Sequence, residues 1–160
     1  MMPSKTLCRL VRVAVIGVAL CGIAACFYFL PSFGANIVNN YPDYSHYYLP
    51  WLIFLWLSAT PCFVFLVLIW KISTAIKSET VFTLQTARLI KTCAVILFCD
   101  VGFFFLGNII FMLLGLNHSG VLLLSAIVNV FGVTVAVLVA VLSRYITKAA
   151  ALQEEADGTI

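Results

Sequence analysis

Asp100 is the one acidic or basic residue inside an otherwise apolar run, Thr92 to Leu116, and it lies nine positions beyond Lys91. At the 1.5 Å rise of a helix that is roughly 13 Å into hydrocarbon, where a lipid-facing carboxylate costs on the order of 2.5 to 3.5 kcal/mol. Such a group has to face protein or water. The comparable depth on the preceding run is near Pro61 and Cys62, with Ser58 and Thr60 in the same turn. Pro61 has no amide, so the Leu57 carbonyl loses its usual partner there. The spacing predicts a polar layer in which protonated Asp100 donates a hydrogen bond into the kink formed by Ser58, Ala59, Thr60 and Pro61. Three uses fit such a layer: interhelical glue, proton or ion handling, or a conformational switch.

A second set of polar groups lies on the last apolar run. Ser125, Asn129, Gly132, Ala136 and Ser143 recur at helical spacings and share one stripe. A turn centred between His118 and Ser119 puts Asn108 and Asn129 at equal depth, so their amides are expected to pair across a hairpin. Cys93, Asp100 and Gly107 repeat every seven residues, and Gly17, Cys21 and Ala25 every four, which predicts two more close helix contacts. The six cysteines show neither zinc spacing nor a CxxC pair and read as small hydrophobes packed among helices. His46 and His118 lack a convergent partner, and no protease, hydrolase or phosphate-cradling motif occurs. The expectation is therefore no enzyme activity, no catalytic residue, no metal and no cofactor.

The elements that must carry these residues are four apolar runs, Val13 to Leu30, Leu49 to Trp70, Thr92 to Leu116 and Val121 to Leu142. Each is near the roughly 20 residues that a helix needs to cross a bilayer. With 160 residues, 64% hydrophobic and only 9% charged, the chain could not hide its apolar surface in a water-soluble ball. Lipid offers the backbone no water, so each crossing must close its own hydrogen bonds as a helix. The predicted fold is all-α: a single membrane domain over residues 1–160 with four transmembrane helices in an antiparallel bundle. Lys5, Arg9, Arg12, Lys71, Lys77, Arg88, Lys91, Arg144 and Lys148 all fall in alternate gaps, which by the positive-inside bias puts both termini in the cytoplasm. The net charge of +3 then serves lipid headgroups rather than nucleic acid.

Between the runs, Pro31, Gly34, Asn39, Asn40 and Pro42 predict an outer loop over Pro31 to Tyr48. The aromatic cluster Tyr41, Tyr44, Tyr47, Tyr48 and Trp51 suits a membrane-interface belt, or alternatively a cradle for a ligand. Ile23-Ala24-Ala25-Cys26 has the form of a lipoprotein cleavage site, but the apolar run continues past it. Phe82 followed by Thr83 reads as a helix start, with the Thr83 hydroxyl as cap. Phe82, Thr83 and Arg88, together with the acidic end at Glu154, Glu155 and Asp157, form a candidate surface for a cytoplasmic partner.

The tail from Lys148 to Ile160 resembles the close of a widespread bacterial membrane family, domain of unknown function 2975, whose members end in Glu-Asn-Asp-Leu-Thr followed by Val or Ile. Glu155, Asp157, Thr159 and Ile160 match that string, whereas Ala156 and Gly158 depart from it. The segment Phe82 to Lys91 is similar to the family's Phe-Ser opening before its third helix, and Thr60-Pro61-Cys62-Phe63 through Trp70-Lys71 to its second helix. The resemblance implies a four-helix protein of the bacterial cytoplasmic membrane, often encoded beside a small helix-turn-helix regulator, with no established activity. The combined expectation is a membrane partner or sensor that sequesters or modulates such a regulator, without contacting nucleic acid itself. Two alternatives stand beside it. One is a small transporter or channel component working through Asp100, as a homo-oligomer because four helices enclose little aqueous space. The other is a structural subunit of a membrane complex.

Overall fold

The computed structural model describes residues 4–77, 83–117 and 119–157. Its elements are α1 (Ser4–Ala24), a π turn (Ala25–Phe29), α2 (Leu30–Asn40), a 3₁₀ turn (Pro42–Tyr44), α3 (Ser45–Lys77), α4 (Leu84–Leu113) and α5 (Ser119–Asp157). Four stretches are long and apolar enough to cross a membrane: Lys5–Asn40, Ser45–Ala75, Leu84–Leu113 and Gly120–Glu155. All four predicted helices are present, each longer than its apolar run required, except that α4 stops three residues early.

The first predicted outer loop is mostly helix. Pro31 sits in the first turn of α2, and the π turn just before it lets the Leu30 amide reach back to the Ala25 carbonyl. That wider coil accommodates a residue with no donor, so the helix passes through Pro31 instead of breaking. Gly34 is not a turn residue either; a Cβ there would collide with the Tyr48 ring of α3. The chain turns only at Tyr41, where the backbone leaves helical geometry and the amide closes on Ile37 at 2.9 Å.

The Thr83 cap forms as expected: its hydroxyl accepts the Thr86 amide at 3.3 Å and opens α4. At the other end α4 closes in a Schellman motif. Gly115 adopts φ +70°, its amide reaches Met112 at 3.1 Å, and the Leu116 amide reaches Phe111 at 2.8 Å. The predicted run to Leu116 is therefore cut at Leu113, because only glycine takes the left-handed conformation without a Cβ penalty.

Neighbouring rods run antiparallel. Arg12 lies beside Ser73 and Thr74, Gly22 beside Phe63, and Trp56 beside Cys26, so α1 and the π turn descend as α3 rises. Ser58 meets Asp100 while Trp51 reaches Leu116, which reverses α4 against α3. Ala87 meets Ser143 and Val101 meets Gly132, which reverses α5 against α4. Close backbone approaches follow chain order, α1 to α3, α3 to α4 and α4 to α5; among the described residues α1 has none to α4 or α5.

Most buried residues are small or polar, with Phe54, Ile90 and Ile146 as larger apolar members, and large apolar side chains cover the exterior. Buried residues include Cys93, Ala94, Ala136, Ser73, Asn108, Ser125 and Ser143, while Phe27, Phe131, Leu123 and Val130 are exposed. A water-soluble protein inverts that order. Lipid tails are as apolar as Leu, so helix contacts here rest on close approach of small residues and on interhelical hydrogen bonds.

Candidate functional site

Asp100 faces α3, as the cost of exposing it to lipid requires. The Ser58 hydroxyl donates to its Oδ1 at 3.3 Å, and the Cys62 thiol donates to Oδ2 at 3.4 Å. Only one of the predicted α3 side chains takes part. Ser58 and Cys62 are four residues apart and share a stripe, whereas Thr60 lies two residues from each, on the far side of the helix. Thr60 is exposed, and its hydroxyl bonds the Trp56 carbonyl at 3.0 Å. Pro61 makes no polar contact with Asp100. Cys62 stands at the depth expected for the layer, but cysteine reads in a sequence as a small hydrophobe and its thiol carries no expectation of a hydrogen bond, although Cys62 is i, i+4 to Ser58.

The predicted pairing of Asn108 with Asn129 does not form. Asn108 donates to the Phe104 carbonyl at 2.8 Å, and its Oδ1 accepts from Asn117 at 3.3 Å. Asn129 donates to the Ser125 carbonyl at 3.0 Å, and its buried Oδ1 has no partner among the described residues. The reason is register. Val101 lies against Gly132, and seven residues nearer the turn from each stand Asn108 and Ser125, so Asn108 faces the level of Ser125. The turn that Gly115 imposes uses residues the symmetric hairpin estimate had assigned to α4, shifting the register by about one helical turn. Ser125 itself bonds the Leu122 carbonyl at 2.8 Å.

Of the small-residue stripes, that of α5 is a packing face: Ser125, Asn129, Ala136 and Ser143 are buried, and Ser143 donates across to the Ala87 carbonyl at 3.2 Å. Cys93 is buried, and a Cβ on Gly107 would collide with Phe54, so the α4 stripe also packs. The Gly17, Cys21, Ala25 stripe is exposed instead. The contacting face of α1 carries Cys8, Arg12 and Gly22, with Arg12 5.1 Å from the centre of the Trp70 ring. The thiols divide accordingly: Cys8, Cys26 and Cys93 are buried, while Cys21, Cys62 and Cys99 are exposed, and all six are free.

Part of the aromatic cluster forms a wall. Trp51 donates to the Leu116 carbonyl at 2.9 Å and meets Phe111 edge-on at 5.0 Å. Tyr47, Tyr48 and Trp51, with Phe33 and Ile37 of α2, line an apolar pocket of about 380 Å³. Phe33 and Ile37 join the wall because Leu30–Asn40 is helix rather than the expected loop.

Of the candidate partner surface, Thr83 is committed to the cap, and Arg88, Glu154 and Glu155 are exposed. Phe82 and residues 158–160 lie outside the described residues, as does the side chain of Asp157. Among the described residues no three His, Cys, Asp or Glu side chains converge as a metal site.

Four apolar rods, small residues within and a polar layer at membrane depth define a multi-pass membrane protein. Residues 32–160 match the family model described as protein of unknown function DUF2975, and the chain belongs to that family. No curated protein matches the chain. No solved structure matches it.

Proposed function

We propose that this protein resides in the bacterial cytoplasmic membrane with both termini in the cytoplasm. There it sequesters or senses a small helix-turn-helix regulator through the start of α4 and the acidic end of α5. The role is binding, not catalysis, and the regulator rather than this chain contacts DNA. The observation that carries the reading is the length of α5. Its 39 residues extend about 58 Å, nearly twice the roughly 30 Å of hydrocarbon. The excess emerges at the end of the molecule where the basic residues gather, and Glu154 and Glu155 are exposed on it. A basic DNA-binding protein is complementary to such an arm, although each exposed ion pair contributes only about 0 to 1 kcal/mol. The polar layer at Asp100 is interhelical glue in this reading, since both carboxyl oxygens are engaged by α3.

Co-expression with a helix-turn-helix regulator encoded beside it supplies the test. The pair should co-purify from detergent, and deletion of Glu154 to Ile160 should abolish recovery while leaving the membrane protein folded. An undiminished complex after that deletion removes the arm from the mechanism. Complete indifference of the two full-length proteins to each other refutes the partnership.

A further inference from the structure

Lys91 of α4 and Arg144 and Lys148 of α5 share one cleft, of about 820 Å³, at the basic end of the helix pair. Arg144 and Lys148 are four residues apart and therefore project from the same face. All three are exposed, and none has a hydrogen-bond or ion-pair partner among the described residues. Below the cations the same cleft is apolar, lined by Val95, Phe98 and Val141. Seven residues separate Lys91 from Phe98, and seven separate Lys148 from Val141. The charged rim thus gives way to hydrocarbon over roughly 10 Å of helix.

We infer that this cleft binds an anionic phospholipid, its phosphate held by Lys91, Arg144 and Lys148 and an acyl chain laid along Val95, Phe98 and Val141. Three cations lining one cleft suit one phosphate and its neighbouring charge, and a basic pocket between transmembrane helices is where anionic headgroups are recognised. The apolar floor distinguishes the site from a plain anchoring patch. Snorkelling lysines and arginines need only reach the headgroup level, whereas this floor accepts a chain beneath the bound phosphate. It also distinguishes lipid from free phosphate, which would leave the floor unused.

Full-length protein in nanodiscs of equal phosphatidylglycerol and phosphatidylcholine, released and weighed by native mass spectrometry, gives the test. The wild type should retain phosphatidylglycerol selectively. Lys91→Gln/Arg144→Gln/Lys148→Gln should lower that retention by about five-fold per cation, roughly a hundred-fold together. Lys5→Gln/Arg9→Gln/Lys71→Gln, which removes three cations at the same end of the molecule outside the cleft, should leave it unchanged. Val141→Trp, with every cation kept, should displace the lipid by filling the floor, so the inference stays testable if the triple variant misfolds. Equal retention of the two lipids, or equal losses in the two triple variants, overturns the site. Phosphatidylglycerol retained by Val141→Trp as well as by the wild type, with glycerol phosphate bound equally by both, would assign the cations to a soluble phosphate instead.

Discussion

Asn108 and Asn129 are both buried amides in the α4–α5 pair, but their oxygens differ in use: that of Asn108 accepts from Asn117, and that of Asn129 accepts nothing among the described residues. An unpartnered buried acceptor carries its desolvation cost with no return. Asn129→Leu should therefore leave thermal stability in detergent within about 1 kcal/mol of wild type, or raise it, whereas Asn108→Leu should cost about 1 to 3 kcal/mol by stranding the Asn117 amide. Equal losses would show that the two are energetically alike. Asp100 allows a similar contrast. Asp100→Asn keeps one acceptor for Ser58 and should lower stability little; Asp100→Leu loses both bonds from α3 and should lower it by about 0.6 to 2 kcal/mol. A loss of function in a folded, stable Asp100→Asn protein would transfer the residue from glue to mechanism. The depth and inward orientation of Asp100 were legible from the cost of burying charge. Its partner Cys62 was not, because a thiol shows its hydrogen bonding only when a carboxylate stands within reach.

Gly107 and Gly115 show two unrelated uses of the same residue at the scale of elements. The Phe54 ring occupies the space a Cβ on Gly107 would fill, and it is held there by Phe103, Phe104 and Phe111. Since that ring is packed on several sides it cannot swing away, and Gly107→Val should push α3 from α4 at a cost of about 1 to 3 kcal/mol. Cysteine pairs placed across α3 and α4 should then crosslink more slowly than in the wild type. Gly115→Ala should cost about 1 kcal/mol through the left-handed backbone alone, with crosslinking across α3 and α4 unaltered. Thr83 was identifiable as a cap from residue type and position. The continuation of helix through Pro31 was not, because a proline announces a missing donor without saying whether a π turn will absorb it.

For the molecule as a whole, the segregation of cations at one end follows from the antiparallel contacts: Arg12 meets Trp70 and Ser73, and Ala87 meets Ser143. A cytoplasm-dependent reporter fused after Ile160 should be active, and one inserted at Asn117 silent. The reverse pattern would overturn the proposed orientation and leave the fold intact. Arg12 also tests how α1 is held. That helix leans on α3 without close approach to α4 or α5, and Arg12 bridges to Ser73 at 3.3 Å and to the Trp70 ring at 5.1 Å. Arg12→Gln should destabilise the α1–α3 contact by about 0.5 to 2 kcal/mol, seen as faster proteolysis near the N-terminus, with the α4–α5 pair unaffected.

Helix number, helical character and the alternation of gaps with and without Lys or Arg were readable along the chain, because each depends on local composition and on the cost of moving a peptide group or a cation through oil. Packing faces were readable where small residues recur on one stripe, as on α5, and misleading where they recur without a partner, as at Gly17, Cys21 and Ala25. Register, the partners of Asp100 and Asn108, and the joining of Lys91 with Arg144 and Lys148 in one cleft emerged only on folding. They depend on how a turn spends its residues and on which neighbour lies opposite, and a single residue at Gly115 changes both.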